Sequence, residues 1–469
     1  MQRATDSLVL RAIQENNLIF VSAQPDNTYF HWQVEIYLYQ FEKHGIIDRC
    51  YALFGYTGQT PSAYAQRLAK KYPHVLFYKD TRTSNDYSPS IRPHLFAKFF
   101  KEYPHFGKNV FCHDSDIFLT KLPRFDLMLQ PGDDVSYLSD TISYIGYEYI
   151  RDCSIRYKSK HKSLPDLDIF YGMCKAVGIS PELVIANQPN SGGAQYLLKN
   201  IDHTYWEENE RKCDELYSYL CKYEKTYPIN HHIQKWTAGM WVDIWLLWKR
   251  GGKTKIHKEL DFSWATGTVD EYNHYNIFHL AGITGSNCSD KFHKGKFTSE
   301  TVFDAYINNS ALFDHISRTN ATYLYTNVIR DYVKNVYAPE KGIKLSPITF
   351  SPMTKSSVIQ DNNVKRDLSS GLISGTDNAF VDVKRFILST RGVCGGTYIR
   401  DDNKQCVGKS VWRSENGAYI IFWSGTHWII TYSRCEKEIG PKCGGLLSTT
   451  SKVPYTTDWN RSDIKITIL

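Results

Sequence analysis

Over its first 120 residues the chain alternates short apolar runs with amphipathic segments, and that alternation restricts the fold more than any other feature. Leu18 to Ala23 (LIFVSA) is apolar almost throughout, as a strand covered on both faces must be, and a Pro-Asp-Asn turn separates it from a helix predicted from Tyr29 to His44. Tyr51 to Gly55 predicts a second strand, Ser62 to Lys71 a helix, His74 to Tyr78 a third strand and Arg92 to Glu102 another helix. Strands that alternate with helices build a parallel-rich α/β sheet, and such sheets bind ligands beyond the carboxyl ends of their strands. Ser22 to Asp26 and Asp114 to Asp116 both fall at such ends.

In Asn109 to Leu122 (NVFCHDSDIFLTKL) an apolar run is interrupted by Asp114-Ser115-Asp116 and then resumes. Residues two apart in a strand share a face, and a tight turn at the strand's end lets both carboxylates converge on one hard cation. Oxygen ligands of this kind suit Mg²⁺ or Mn²⁺, and such an ion usually serves substrate phosphates. An Asp-built loop turn gives the same three letters, but the apolar strand residues on both sides favour the metal.

Composition narrows the partners. Aromatic residues make up 14% of the 469, including 33 Tyr and 11 Trp, which suits either stacking surfaces for sugars and bases or a Tyr-rich core. The net charge of +7 is not gathered into long basic runs, which favours small anionic ligands over nucleic acid. Of the 11 Cys, those in the first 290 residues show no C-x-x-C spacing, which argues against zinc sites there. Cys394, Cys406, Cys435 and Cys443 cluster near the C-terminus, where disulfides and a metal both stay open. No apolar segment near the N-terminus reaches signal-peptide or anchor length, which predicts a cytoplasmic protein without a membrane span and with the sequons at Asn287, Asn308, Asn320 and Asn460 unused.

After Pro339, Ser, Thr, Asn and Lys dominate through Asn378 with little hydrophobic periodicity, which predicts a linker over 339–379. Beyond it, AYIIFWSGTHWIITY (Ala418 to Tyr432) carries a Ser-Gly pair between two strand-like runs, a hairpin signal. The expected organisation is an α/β domain over 1–338, the linker, and a small all-β module over 380–469.

Four segments follow one another in order: TYFHWQVEIYLYQFEKHG (Thr28 to Gly45), SIRPHLFAKFFKEY with the acidic strand (Ser90 to Lys121), NQPNSGGAQYLLKNID (Asn187 to Asp202) and IFHLAGIT (Ile277 to Thr284). Together they resemble the glycosyltransferases of plant hydroxyproline-rich proteins, the hydroxyproline O-arabinosyltransferases and the peptidyl serine α-galactosyltransferases. The similar elements are Tyr-x-x-Trp-Gln opening the first helix, Arg-Pro before the second, an acidic-x-acidic strand end followed by Leu-Pro, and a late strand ending in His. They extend from about Asn17 to Phe297, without a long identical run.

The resemblance implies a GT-A, Rossmann-like fold, a divalent metal (Mn²⁺ or Mg²⁺), a UDP-linked sugar donor, and transfer with retention to a hydroxyl of a protein or glycan acceptor. Asp114 and Asp116 would then hold the metal on the diphosphate, with His279 as a late ligand to the same ion. His279-x-x-Gly282 is similar to the His-x-x-Gly element of other GT-A enzymes, whose small residue lets the backbone approach phosphate. A His at a strand end can also be a satisfied core or surface residue; the basic FHKGKF segment that follows favours the ligand.

The remaining candidates are a donor-binding set and one carboxylate. Lys294, in preference to Lys296, supplies positive charge for a departing diphosphate. Arg92 stands at a helix start, where it faces phosphate or simply solvent. Ser22, Ala23 and Gln24 end the first strand, where small residues let a nucleoside lie against the backbone. Asn190, Gly192, Gly193 and Gln195 combine amides for sugar hydroxyls with glycines for close approach, between strand-like Leu183 to Ala186 and Tyr196 to Leu198. In KWTAGMWVDIWLLWKRGG (Lys235 to Gly252), helical spacing puts Trp241, Trp245 and Trp248 on one stripe and Trp236, Met240, Asp243 and Leu247 on another. A carboxylate on so apolar a helix needs a partner or a task, and Asp243 is the catalytic candidate. Two other classes stay open: a non-catalytic carbohydrate-binding protein on a degenerate transferase fold, and a metal-dependent phosphohydrolase.

Overall fold

The computed structural model describes residues 2–282 and 289–344, together with seven strands between 385 and 468. It divides into two compact units, Met1–Pro352 and Met353–Leu469. The first opens with α1 (Gln2–Glu15), β1 (Ile19–Pro25), α2 (Thr28–Lys43), β2 (Cys50–Tyr56), α3 (Ala63–Lys71), β3 (Val75–Lys79), α4 (Ile91–Glu102) and β4 (Asn109–Cys112), in the alternation expected. Helix starts are marked chemically: the Asn27 side chain accepts from the Phe30 N–H to cap α2, and Ser62 accepts from the Ala65 N–H to cap α3.

The chain continues through β5 (Ile117–Leu119), β6 (Val135–Leu138), α5 (Ile142–Ile145), α6 (Tyr147–Lys160), α7 (Asp168–Val177), α8 (Pro181–Ala186), β7 (Tyr196–Lys199) and α9 (His203–Thr226). Then come α10 (Ala238–Lys249), β8 (Lys253–Ile256), β9 (Phe262–Trp264), α11 (Val269–His274), β10 (Ile277–His279), α12 (Val302–Asn308) and α13 (Ala321–Tyr332). Two expectations are corrected here. Leu183 to Ala186 is helical, not a strand, because Ser180 caps α8, Pro181 opens it and Glu182 sits in its first turn. Trp236 precedes α10 in a short 3₁₀ turn and is 64% exposed, so it does not share a buried stripe with Asp243.

Seven strands form one mixed sheet in the order β3-β2-β1-β4-β7-β6-β8. The β3/β2, β2/β1, β1/β4 and β6/β8 pairs are parallel, and β7 runs antiparallel to β4 and β6. Period-two alternation sends side chains to two separate cores. Ile19, Val21, Leu53, Val110 and Cys112 pack with α4, α9 and α10, while Phe20, Ala52, Phe54 and Phe111 pack on the other face with α1 and α2. This is an α/β fold with a large parallel-rich sheet buried on both faces. The strand order leaves β1 in one direction for β2 and β3, then returns to β4 on its other edge. A crevice at such a reversal is where open α/β sheets take ligands.

A second, three-stranded sheet, β5-β10-β9, carries a third core formed with α12 and α13. Its inner residues include Phe118, Phe278, Phe292 and Phe303, and Trp32 and Ile36 of α2 join them. Among the described residues, no helix is long and apolar enough to cross a membrane.

In the second unit, β11 (Arg385–Ser389), β12 (Gly396–Cys406), β13 (Lys409–Ser414), β14 (Tyr419–Trp423), β15 (Trp428–Tyr432), β16 (Leu447–Thr449) and β17 (Lys465–Ile468) pair antiparallel in the order β16-β15-β14-β13-β12-β11-β17. Strands β14 and β15 meet with Trp423 opposite Trp428. The expected linker beyond residue 344 and the side chains of the four C-terminal cysteines lie outside the described residues.

One buried carboxylate ties three helices of the first unit together. Glu35 of α2 accepts two hydrogen bonds from the Arg67 guanidinium of α3, at 3.0 and 2.7 Å, and further ones from the phenols of Tyr64 and Tyr332 of α13. Glu35→Gln strands Arg67 and puts an amide N–H among donors. The expected loss is about 2 to 3 kcal/mol in urea unfolding, below the range for wholly buried pairs because Arg67 is 35% exposed. A loss under about 0.5 kcal/mol would show that the clasp contributes nothing.

Candidate active site

The acidic pair lies where the two sheets of the first unit meet. The His113 N–H donates to the Val21 carbonyl at 3.1 Å and so extends the β1/β4 pairing by one residue before the chain turns through Asp114 and Ser115. Strand β5 then pairs antiparallel with β10, Ile117 standing opposite His279, and the Leu280 N–H donates to the Asp116 carbonyl at 2.9 Å. Backbone pairing alone therefore delivers His279, distant in sequence, to the acidic turn.

One ligand atom each from Asp114, Asp116 and His279 lie within 4.8 Å of one another. His279 Nε2 is 3.4 Å from Asp116 Oδ1 and 3.8 Å from Asp114 Oδ2. Two carboxylates and an imidazole fit a divalent ion; the nitrogen favours Mn²⁺ over Mg²⁺, whose preference is for oxygen alone. The imidazole is held by stacking, parallel to Trp264 at 5.6 Å and edge-on to Phe262 at 5.1 Å.

Two cations hold the carboxylates. Arg92 of α4 donates to Asp114 Oδ1 at 2.7 Å and reaches Asp243 Oδ2 at 3.5 Å. The Lys294 ammonium contacts Asp116 Oδ2 and lies 5.8 Å from the centre of the Tyr29 ring. Burial works against the charge on each cation, yet the facing carboxylates outweigh it and both pKa values are raised, Arg92 by Asp114 and Asp243, Lys294 by Asp116 and Tyr29. Burial likewise opposes ionisation of Asp116, but Lys294 and His279 hold its pKa well below the ordinary carboxylate range. Asp243 goes the other way. Burial dominates there and raises its pKa, against the pull of Arg92 and the hydrogen bond that Asn209 donates to Oδ1 at 2.8 Å.

The structure thus brings together Asp114, Asp116, His279, Arg92, Lys294 and Asp243 of the residues singled out from sequence. Arg92 is bound to carboxylates and does not point to solvent, and Lys296 is exposed while Lys294 is not. Ser22 and Gln24 face the core: the Ser22 hydroxyl bonds Tyr37 at 2.6 Å, and the Gln24 amide donates to the Leu53 carbonyl at 2.9 Å. This strand end can offer a ligand its backbone and Ala23, not those two side chains. Asp26 is also spent, accepting from the Ser62 N–H at 2.6 Å with His31 Nε2 2.6 Å away.

The Asn190 to Gln195 turn is packed more tightly than expected. A Cβ at Gly192 would meet Ile256 and the Ser139 carbonyl at 2.4 Å, so this glycine makes room for protein and not for a ligand. At Gly193 a Cβ would sit 2.7 Å from the Tyr196 phenol oxygen. Gln195 is fully buried, its carbonyl oxygen 3.2 Å from the Ser139 hydroxyl, and Asn190 is half-buried with its backbone carbonyl accepting from Thr254 at 2.9 Å. Asn209, Tyr29 and Trp264 escaped sequence reasoning as site residues. Tyr29 did stand in the Tyr-x-x-Trp-Gln element; Asn209 and Trp264 carried no local signal.

No protein-family model matches the chain, and no curated protein matches it. Among solved structures it is similar to the WbbM bifunctional glycosyltransferase in its apo form, at 11% identity and a TM-score of 0.32 over 64% of this chain and 51% of that one. It is similar to the galactosyltransferase LgtC in complex with donor and acceptor sugar analogues, at 13% identity and a TM-score of 0.29 over 60% of this chain and 93% of that one. Mouse xyloside xylosyltransferase 1, apo form, gives 11% identity and a TM-score of 0.28 over 56% of this chain and 97% of that one. The chain spans about half the length of WbbM. These likenesses are loose, and the chemistry of the site rests on its own side chains.

The Arg92 bridge between Asp114 and Asp243 can be measured as a coupling. Arg92→Met strands a buried carboxylate and is expected to cost about 3 kcal/mol at neutral pH. Asp243→Leu added to it should cost less than the two single changes combined, by at least about 1 kcal/mol in a urea-unfolding cycle. Strict additivity would show that the two side chains do not interact.

Proposed function

We propose that this chain is a metal-dependent glycosyltransferase of GT-A type that moves a sugar from a UDP-linked donor to a hydroxyl of a protein or glycan. The observation that carries the reading is the convergence of Asp114, Asp116 and His279 at the sheet's reversal point, with Lys294 and Arg92 on either side. A nucleoside diphosphate needs cations around it, and a divalent ion on the acidic pair would add its charge to those of Lys294 and Arg92. A phosphohydrolase would call for a richer set of Asp and His ligands.

When bound, Mn²⁺ would be held by Asp114, Asp116 and His279 and would supply positive charge to the diphosphate oxygens. Lys294 stands beside Asp116 and can turn its ammonium to the phosphates as negative charge grows on the departing group. Arg92 orients Asp114 and Asp243 together. Asp243, buried against Arg92 and Asn209, is the proposed carboxylate for stabilising positive charge at the anomeric carbon or holding the acceptor hydroxyl. Ala23 and the backbone of β1 are the proposed nucleoside contact, and Asn190 a contact to the sugar. The plant transferases that the chain resembles support retention: the bond from the anomeric carbon to the diphosphate breaks on the face where the bond to the acceptor oxygen forms, and the acceptor's proton passes to the departing phosphate. The second unit is proposed as an accessory module.

Asp114→Ala and Asp116→Ala should each leave the fold intact and lower Mn²⁺-dependent hydrolysis of a UDP-sugar on the order of 100-fold. His279→Ala should weaken UDP binding in a Mn²⁺ titration by a smaller factor, and Asp243→Asn should lower turnover more than UDP affinity. Full activity of either Asp variant at limiting Mn²⁺ would remove the metal assignment. A chain ending near Ser356 is expected to hydrolyse the donor as the full chain does, since every proposed site residue lies at or before Lys294. Loss of hydrolysis in a folded truncation would place part of the site in the second unit.

A further inference from the structure

Trp264 ends β9 as the register partner of His279 on β10, and its indole lies 19° from parallel to the imidazole. It is nevertheless 41% exposed, whereas Trp241 and Trp245 of α10 are buried almost completely. Phe262 meets the indole edge-on at 4.7 Å and Tyr144 of α5 meets it at 6.3 Å and 60°, so the ring is fixed in place while much of its surface stays open. Supporting His279 needs only one face of the indole. An open indole face beside a cluster of charges is a surface on which a ligand with an apolar face can stack.

The groups around it are suited to a ligand with one apolar face and a polar rim. Tyr144 is half-buried, and burial together with the nearby carboxylates of Asp114 and Asp140 raises its pKa. Asp140 is exposed, and its N–H donates at 3.2 Å to the carboxylate of Asp261, the residue just before β9. An indole, a phenol and an exposed carboxylate therefore share one corner beside the acidic cluster.

We propose that this corner seats a pyranose ring, with the C–H-rich face of the sugar on the Trp264 indole and its hydroxyls toward Asp140 and the Tyr144 phenol. The π-face of an indole is negative and attracts the weakly positive C–H groups of a sugar, which a phosphate or a carboxylate cannot exploit. The proposal rests on the nucleotide-sugar reading of the metal centre, and the ring is either the transferred sugar of the donor or a sugar of the acceptor.

The test uses the full chain with Mn²⁺, comparing wild type, Trp264→Ala and Trp264→Phe. Calorimetry measures the affinity for UDP, UDP-glucose and UDP-galactose, and saturation-transfer NMR measures contact with methyl glucoside and methyl galactoside in the presence of UDP. A seat for the donor sugar is expected to show as Trp264→Ala binding UDP within about twofold of wild type but a UDP-sugar about tenfold more weakly, with Trp264→Phe recovering most of the loss. A seat for the acceptor sugar shows as unchanged affinity for UDP and both UDP-sugars together with loss of the methyl glycoside signal. Equal weakening of UDP and the UDP-sugars would overturn the proposal, because Trp264 would then act only through His279; so would no change in any of these readouts. Wild-type protein that binds neither UDP nor a UDP-sugar with Mn²⁺ sinks the metal-centre reading itself, an outcome distinct from both.

Discussion

Everything near the acidic turn answers to one electrostatic constraint: three carboxylates, the partly exposed Asp114 and the buried Asp116 and Asp243, crowd together with two fixed cations among the described residues, Arg92 and Lys294. Three negative charges less two positive ones leave one negative charge on this set of side chains. At 2.7 Å and an effective dielectric constant near 20, the Arg92–Asp114 attraction is about 6 kcal/mol before desolvation, and desolvation costs several kcal/mol per ion. Such nearly balanced pairs hold the carboxylates in place without locking them. On the proposed reading, a divalent ion arriving with a diphosphate would meet groups already oriented and partners that can be exchanged.

The fold delivers those groups from independent directions. The parallel pairing of β1 with β4 fixes the acidic turn, β5 and β10 fix His279 against it, α4 supplies Arg92, and the turn at 294–296 supplies Lys294. That turn is anchored by α2, whose Trp32 indole N–H donates to the Phe297 carbonyl at 3.2 Å while Tyr29 lies by the Lys294 ammonium. The spacing of Tyr29 and Trp32 thus acquires a physical meaning: residues three apart on one helix share a face, and both touch the segment that carries the site's second cation.

The alternating elements of the first 120 residues were legible because buried parallel strands and amphipathic helices leave strong, different periodicities. The acidic turn was legible because carboxylates inside an apolar run have a high cost without a cation. Which face of β1 meets the crevice was not, since both faces of a sandwiched strand are apolar, and Ser22 and Gln24 proved to face one core. Helix α8 was misread because its apolar run is short, although Ser180-Pro181-Glu182 held the start signal. Gly192 looked like room for a ligand, but that room is filled by Ile256 and Ser139. Asn209 and Trp264 become site residues only through tertiary contacts with Asp243 and His279, which no spacing in the chain encodes.

Asp116 and Asp243 show why equal burial need not mean equal roles. Both side chains are more than nine-tenths buried, yet one pKa falls and the other rises. Asp116 has the Lys294 ammonium in contact and His279 at 3.4 Å, so these neighbours override desolvation and favour the ionised carboxylate. Asp243 shares Arg92 with Asp114, which takes the shorter contact, and is left with a 3.5 Å approach and one amide donor. Its ionised form is therefore the less secure of the two. The charge of Asp116 is thus secured by its own cation, whereas that of Asp243 depends on where Arg92 sits between it and Asp114.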